Sequence, residues 1–155
     1  MQADLSVYRG AVVVGHDGSS HSDCAVQWGY EDAQRRGVPL VVVRAWTMTS
    51  APKPTTFEPG YVPSEDEFAE AVQNALAADV QSALQVEADP QMIFLPVHES
   101  AKEALIRASE VAAVVVVASR GKGLARALLG STSEQLVKHA RGPVTVVPQP
   151  IAERL

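Results

Sequence analysis

The chain has 155 residues, of which 46% are hydrophobic and 20% charged, a balance close to that of average globular domains. It excludes a disordered tail, a collagen-like chain and a coiled-coil rod. Thirteen basic against eighteen acidic side chains leave a net charge of -5, which argues against a nucleic-acid backbone as partner, because such binding needs clustered Lys and Arg.

The first five residues, Met1-Gln2-Ala3-Asp4-Leu5, show neither the basic nor the apolar segment of a signal peptide. The first apolar run, residues 11–14, leads into Gly15-His16-Asp17-Gly18-Ser19-Ser20. A helix is expected over residues 20–36, with Ala25, Val26, Gly29 and Ala33 on one stripe and Gly37 where a C-terminal glycine cap belongs. A second apolar run covers residues 40–43. Residues 47–63 form a long irregular stretch with four prolines. Such stretches are functional or are tolerated surface insertions. Ser64-Glu65-Asp66-Glu67 is a capping box, followed by Phe68, Val72, Ala75, Leu76, Val80 and Leu84 at helical spacing. A third run, residues 92–95, precedes a second capping box, Ser100-Ala101-Lys102-Glu103, and a helix with Ala104, Leu105 and Ala108. A fourth run, residues 113–117, precedes a glycine-rich loop. Ser131-Thr132-Ser133-Glu134 is a third capping box, opening a helix with Leu136 and Val137. Gly142-Pro143 ends that helix and feeds the last run, residues 144–147.

The five runs are continuous rather than alternating, as in strands buried on both faces. Strands alternating with helices predict an α/β fold: an open, doubly wound, Rossmann-like five-stranded parallel sheet with helices on both faces and right-handed crossovers. A single domain over residues 1–155 is expected. The longest apolar run, residues 111–118, is eight residues, whereas a membrane span needs about 20. The lone Cys24 and the absence of a Cys/His cluster give no disulfide or zinc framework. The expected setting is soluble, reduced and cytoplasmic.

Two segments carry chemistry. Gly15, His16 and Asp17 end the first strand, at the sheet edge where open α/β folds bind ligands. The Asp17 carboxylate is suited to a ribose hydroxyl or a base amine, or equally to a local Asx turn. The second segment is Ala118-Ser119-Arg120-Gly121-Lys122-Gly123, continuing to Gly130-Ser131-Thr132-Ser133 at a helix start. Small residues admit phosphate oxygens to backbone amides, a helix N-terminus favours an anion, and Arg120 and Lys122 add positive charge. The bland alternative is that the glycines shape a turn and Ser131 is an N-cap. No GxxxxGK[ST] loop is present. Arg126 stands where a dinucleotide fingerprint needs glycine. Trp46, beside Ala45, is a further candidate for the pocket wall, whereas Trp28 is expected in the core.

From about Arg9 to Pro148 the sequence resembles the universal stress protein family. The resemblance is carried by Val12-Val13-Val14-Gly15-His16-Asp17-Gly18-Ser19, by Ala118-Ser119-Arg120-Gly121 with Leu128-Leu129-Gly130-Ser131-Thr132-Ser133-Glu134-Gln135, and by Gly142-Pro143-Val144-Thr145-Val146-Val147-Pro148. The family signature, Gly-x2-Gly-x9-Gly-Ser/Thr, implies that Gly121, Gly130 and Ser131 face phosphate and that Thr132 and Ser133 extend the contact. It implies that Asp17 holds the adenosine part, that Ala45 lies beside adenine, and that Val117 directly precedes the signature. Ala118 replaces the first glycine, and eight residues instead of nine separate Gly121 from Gly130.

The resemblance implies an ATP or AMP ligand, with or without Mg²⁺. It also implies a role as a stress-response binding module and a homodimer formed through Val144-Thr145-Val146-Val147. The two departures leave open a non-nucleotide-binding scaffold that works through protein partners. Slow ATP hydrolysis ranks third, since no histidine pairs with a neighbouring nucleophile by motif. No catalytic residue, metal site, nucleic acid or membrane is expected.

Overall fold

The computed structural model describes residues 4–87, 89–120 and 129–149. After a 3-10 turn at Leu5–Tyr8, the elements in chain order are β1 (Val12–Gly15), α1 (Ser20–Arg36), β2 (Leu40–Ala45), α2 (Glu65–Leu84), β3 (Met92–Val97), α3 (Ala101–Ala108), β4 (Val114–Ala118), α4 (Ser131–His139) and β5 (Val144–Val147). All pairings are parallel. The strand order is β3-β2-β1-β4-β5. The expected doubly wound sheet is present.

Side chains along each strand alternate between two cores. Val13, Val41, Val43, Val115 and Val117 pack with Ala104, Leu105, Ala108 and Leu136 of α3 and α4. Val12, Val14, Leu40, Val42, Val114 and Val116 pack with Ala25, Val26 and Ala33 of α1 and with Leu76 and Val80 of α2. The continuous valine runs reflect this two-sided burial. The winding explains the division of helices. The chain steps from β1 to β2 to β3 in one direction, then returns past β1 to β4 and β5. With one handedness of crossover, reversing direction puts the later helices on the opposite face.

Most local signals act as read. Gly37 ends α1 at φ 66° and closes it with bonds to the Ala33 and Gln34 carbonyls. The Ser64–Glu67 capping box is complete on both sides. At α3, Ser100 caps the Glu103 amide at 3.2 Å, which is half of the expected box. The third box is corrected. The N-cap of α4 is Gly130, and Ser131 is the first helical residue. Strand ends also move. β2 and β3 run two residues past their apolar cores because Arg44 pairs with Pro96 and Ala45 with Val97. Pro96 is tolerated there because β3 lies at the sheet edge. β1 and β4 each start and end one residue later than their apolar runs suggest.

The Leu5–Tyr8 turn has no clear sequence signal, yet Tyr8 is fully buried in the α3-side core. Its hydroxyl has no hydrogen-bond partner among the described residues, and burial pushes the phenol up to about 12. Trp28 packs against the α1-side core as expected. No helix among the described residues is long and apolar enough to cross a membrane.

Gly29 lets α1 lie close on β1: a Cβ there would stand 2.5 Å from Val14 Cγ2. Helix propensity alone would make Gly29→Ala stabilising by about 1 kcal/mol. The overlap reverses the sign, and the variant is expected to lose about 1–3 kcal/mol in urea unfolding. A gain in stability would contradict the α1–β1 packing.

Candidate functional site

The helices that follow β1 and β4, α1 and α4, lie on opposite faces, which opens a crevice at the carboxyl edge between two neighbouring strands. A cavity of about 290 Å³ lies there, near the lower end of ligand-pocket sizes. Gly15, His16 and Asp17 come from the end of β1, Val43 and Ala45 from β2, and Val117, Ala118 and Arg120 from the end of β4. Gly130, Ser131, Thr132 and Ser133 come from the start of α4. Eleven of the twelve residues singled out in the sequence thus share one cavity. The twelfth, Gly121, lies outside the described residues.

Four lining residues were missed: Ser22, Val43, Ala101 and Leu105. One had a readable signal: Val43 shares a strand face with Ala45. Gly15 is tied to this wall, since a Cβ there would come within 2.8 Å of Leu105 Cδ1. Trp46 does not line the cavity. It is buried against Phe68 and Val72 and stacks on His98 at a centroid distance of 4.1 Å. None of the irregular segment 47–63 lines the cavity either.

The Asp17 turn fulfils the Asx reading while lining the cavity. One carboxylate oxygen accepts from the Ser19 amide at 2.9 Å and from the Ser19 and Ser22 hydroxyls at 2.5 and 2.9 Å. Ser19 is also the N-cap of α1. Gly18 takes φ 89°, a conformation that suits glycine. Beneath the turn His16 is almost fully buried. Its Nε2 lies 2.8 Å from Asp23 Oδ1, and its Nδ1 accepts from the Gly18 amide at 3.1 Å. Arg44 Nη2 approaches the same Nδ1 at 2.5 Å and binds Asp79 Oδ2 at 2.8 Å.

The opposite wall is the start of α4. The chain closes on itself there: the Gly130 amide donates to the Ser119 carbonyl at 2.7 Å. The buried Ser133 hydroxyl lies within reach of the Ser119 and Gly130 carbonyls, at 3.1 and 3.0 Å. Its single proton is therefore engaged by the backbone, and Ser133 works as a latch. Ser131 is exposed and Thr132 half-buried at the cavity. Gly130 has no side chain with which to cap the first turn, so the helix presents its N-terminal amides without an N-cap hydroxyl over them. Arg120 supplies the one guanidinium of the described wall and donates to Gln149 Oε1. The cavity thus joins an apolar end, of Val43, Ala45, Leu105 and Val117, to a helix N-terminus suited to anions.

A doubly wound α/β sheet with a cavity at its switch point defines the structural class. A model of the universal stress protein family matches residues 9–148. Universal stress protein Rv1996 of Mycobacterium tuberculosis (strain H37Rv) is 35% identical over 156 residues, a match covering 89% of this chain and 48% of that protein. Universal stress protein Rv2005c of the same strain is 38% identical over 145 residues, covering 88% and 47%. The chain belongs to the universal stress protein family. It spans about half the length of these curated relatives. Among solved structures, a universal stress protein in complex with cAMP matches with a TM-score of 0.63 and 22% identity, covering 91% of this chain and 98% of that one. The universal stress protein from Archaeoglobus fulgidus in complex with dAMP matches at 0.56 and 20%, covering 90% and 98%. At these identities the likeness is one of fold.

The two serines at the start of α4 have different expected roles. Ser133→Ala removes the latch and is expected to cost about 1 kcal/mol in urea unfolding. Ser131→Ala, on an exposed position, is expected to stay within about 0.5 kcal/mol of the parent. Equal losses would contradict this division.

Proposed function

We propose that the protein binds an adenine nucleotide, ATP or AMP, in the carboxyl-edge cavity, and that it acts as a dimeric binding module in a stress response. The observation that carries this reading is the pairing, in one cavity, of a carboxylate turn with a helix N-terminus across an apolar floor. The base and ribose occupy the end made by Val43, Ala45, Leu105, Val117 and Asp17. The phosphates lie at Gly130, Ser131 and Thr132, with Arg120 nearby. Family membership supports it, as do the fold relatives described as complexes with cAMP and dAMP.

The residues suit Mg²⁺ only as a companion of the phosphates. Asp17 is the one carboxylate of the described wall, and Mg²⁺ readily keeps water and phosphate oxygens as its other ligands. Bound with a nucleotide, the ion would be held by phosphate oxygens and water and would supply charge neutralisation.

Binding is tested by isothermal titration with ATP and AMP, with and without Mg²⁺, after assaying heat-released nucleotide. Saturable binding is expected, weakened about three- to tenfold by Ser131→Ala or Thr132→Ala, the loss of one hydrogen bond each. No binding at millimolar nucleotide would overturn the reading. The methyl of Ala118, at the cavity wall, would then mark a scaffold that acts through protein partners.

The dimer rests on the outer edge of β5, which pairs with no further strand among the described residues. The Pro143 and Val147 carbonyls accept from Val115 and Ser119 on the β4 side. By strand alternation the peptide groups of Val144 and Val146 face outward. Light scattering is expected to give twice the 16.5 kDa chain mass, and Val146→Pro, which removes an outward N–H, is expected to give a monomer. A parent protein that is monomeric throughout would overturn this assembly.

A further inference from the structure

We propose that His16 and Arg44 are positioning residues that set the Asp17 turn, acting through the His16 Nδ1 lone pair rather than by touching a ligand. The inference rests on the cavity reading above for its functional meaning, but its geometry stands independently.

The His16 side chain is 1% exposed. Two groups converge on its Nδ1, the Gly18 amide at 3.1 Å and Arg44 Nη2 at 2.5 Å. Neither a peptide N–H nor a guanidinium can accept a hydrogen bond, so Nδ1 must be the acceptor. The ring proton then sits on Nε2, facing Asp23 Oδ1 at 2.8 Å. Arg44 itself is held by Asp79 Oδ2 at 2.8 Å and reaches the His16 carbonyl through Nε at 3.4 Å. Its side chain is 13% exposed. The chain Asp23–His16–Arg44–Asp79 therefore ties α1, the end of β1, β2 and α2 together beneath the turn.

Asp17 sits between the two residues that this network fixes. On one side the His16 amide is bound to the Val43 carbonyl at 2.9 Å. On the other, Gly18 is held at positive φ with its amide on Nδ1. The carboxylate is then oriented by Ser19 and Ser22. Removing the Nδ1 acceptor would leave the Gly18 amide and the Arg44 guanidinium facing each other without a partner between them. Fixing a site residue through its support is a general requirement, since errors near 1 Å weaken such sites.

The two ring edges can be separated by substitution. In His16→Asn the amide oxygen stands near the place of Nδ1 and keeps an acceptor for Gly18. In His16→Gln the amide reaches toward the place of Nε2 and keeps a donor for Asp23. Amide hydrogen exchange at Gly18 is measured in the nucleotide-free protein. The proposal expects His16→Asn to exchange near the parent rate and His16→Gln about tenfold faster, the loss of roughly one hydrogen bond. Nucleotide affinity, where the parent binds, is expected to follow the same order. The reverse order, or equal rates, would overturn the clamp. If neither variant folds, ¹⁵N shifts of the imidazole in the parent decide: an unprotonated Nδ1 with a protonated Nε2 supports it, and the opposite tautomer overturns it. If Gly18 exchange follows the expected order while the parent binds no adenine nucleotide, the clamp stands and the nucleotide reading alone fails.

Discussion

The structure depends on one constraint: two parallel strands lie side by side while the chains leaving them must go to opposite faces of the sheet. β1 hands over to α1 on one face, and β4 is followed by α4 on the other. The backbone groups at their carboxyl ends cannot be covered by the same loop, so a crevice opens between them. Everything that lines the cavity follows from this divergence. The floor is made by valines that the sheet would bury anyway. The rim is made by whatever residues stand at the strand ends and at the start of α4. Here those are an acidic turn and a helix N-terminus whose cap is a glycine.

The two rims are built by different means. The Asp17 turn is held by side chains: Ser19, Ser22 and His16 supply the partners, and Arg44 braces the histidine from β2. The α4 rim is held by backbone. The Ser119 carbonyl takes the Gly130 amide and shares the Ser133 hydroxyl, which pins together the two ends of the intervening segment. Of the three hydroxyls at this rim, one is thus occupied by structure, while Ser131 and Thr132 stand at the cavity. A run of Ser, Thr and Ser in sequence is not three equivalent donors.

The fold was legible because two-sided burial leaves a coarse mark: five short valine-rich runs separated by helical stripes. The ends of those runs were less legible. β2 and β3 continue through Arg44 and Pro96 because the ladder needs backbone pairing, not apolar side chains. The Leu5–Tyr8 turn left no mark, since a single buried tyrosine has no period. At the site, residues beside a glycine or in a hydroxyl run were readable. Ala101 and Leu105 were not, because a helical stripe looks the same whether it meets a core or a cavity. His16 was read as a site residue from its place beside Asp17. Its ring is engaged beneath the turn, by Arg44, which lies 28 positions away in sequence. Such a pairing has no local signature. Trp46 shows the opposite error: adjacency to Ala45 suggested the pocket, but strand alternation sends neighbouring residues to different faces.

That alternation also explains how one short strand serves both sides of the site. Ala45 and Val43 line the cavity, while Arg44 between them reaches His16 and Asp79. A substitution at Arg44 therefore acts on the cavity through the turn and not through its volume. The sheet thus separates what touches a ligand from what fixes the groups that touch it. Under the proposed reading, the contact surface is small and mostly apolar, as a flat heterocycle requires, and is framed by few charges. The charges of Asp23, Arg44 and Asp79 are spent instead on the rigidity of the turn. A chain with a net charge of -5 has no broad positive field with which to gather an anionic ligand. On the proposed reading it relies on local donors: the first-turn amides of α4, the hydroxyls of Ser131 and Thr132, and Arg120. Such donors work only where they are held in place, which the backbone latch at Ser119 does for the first turn of α4.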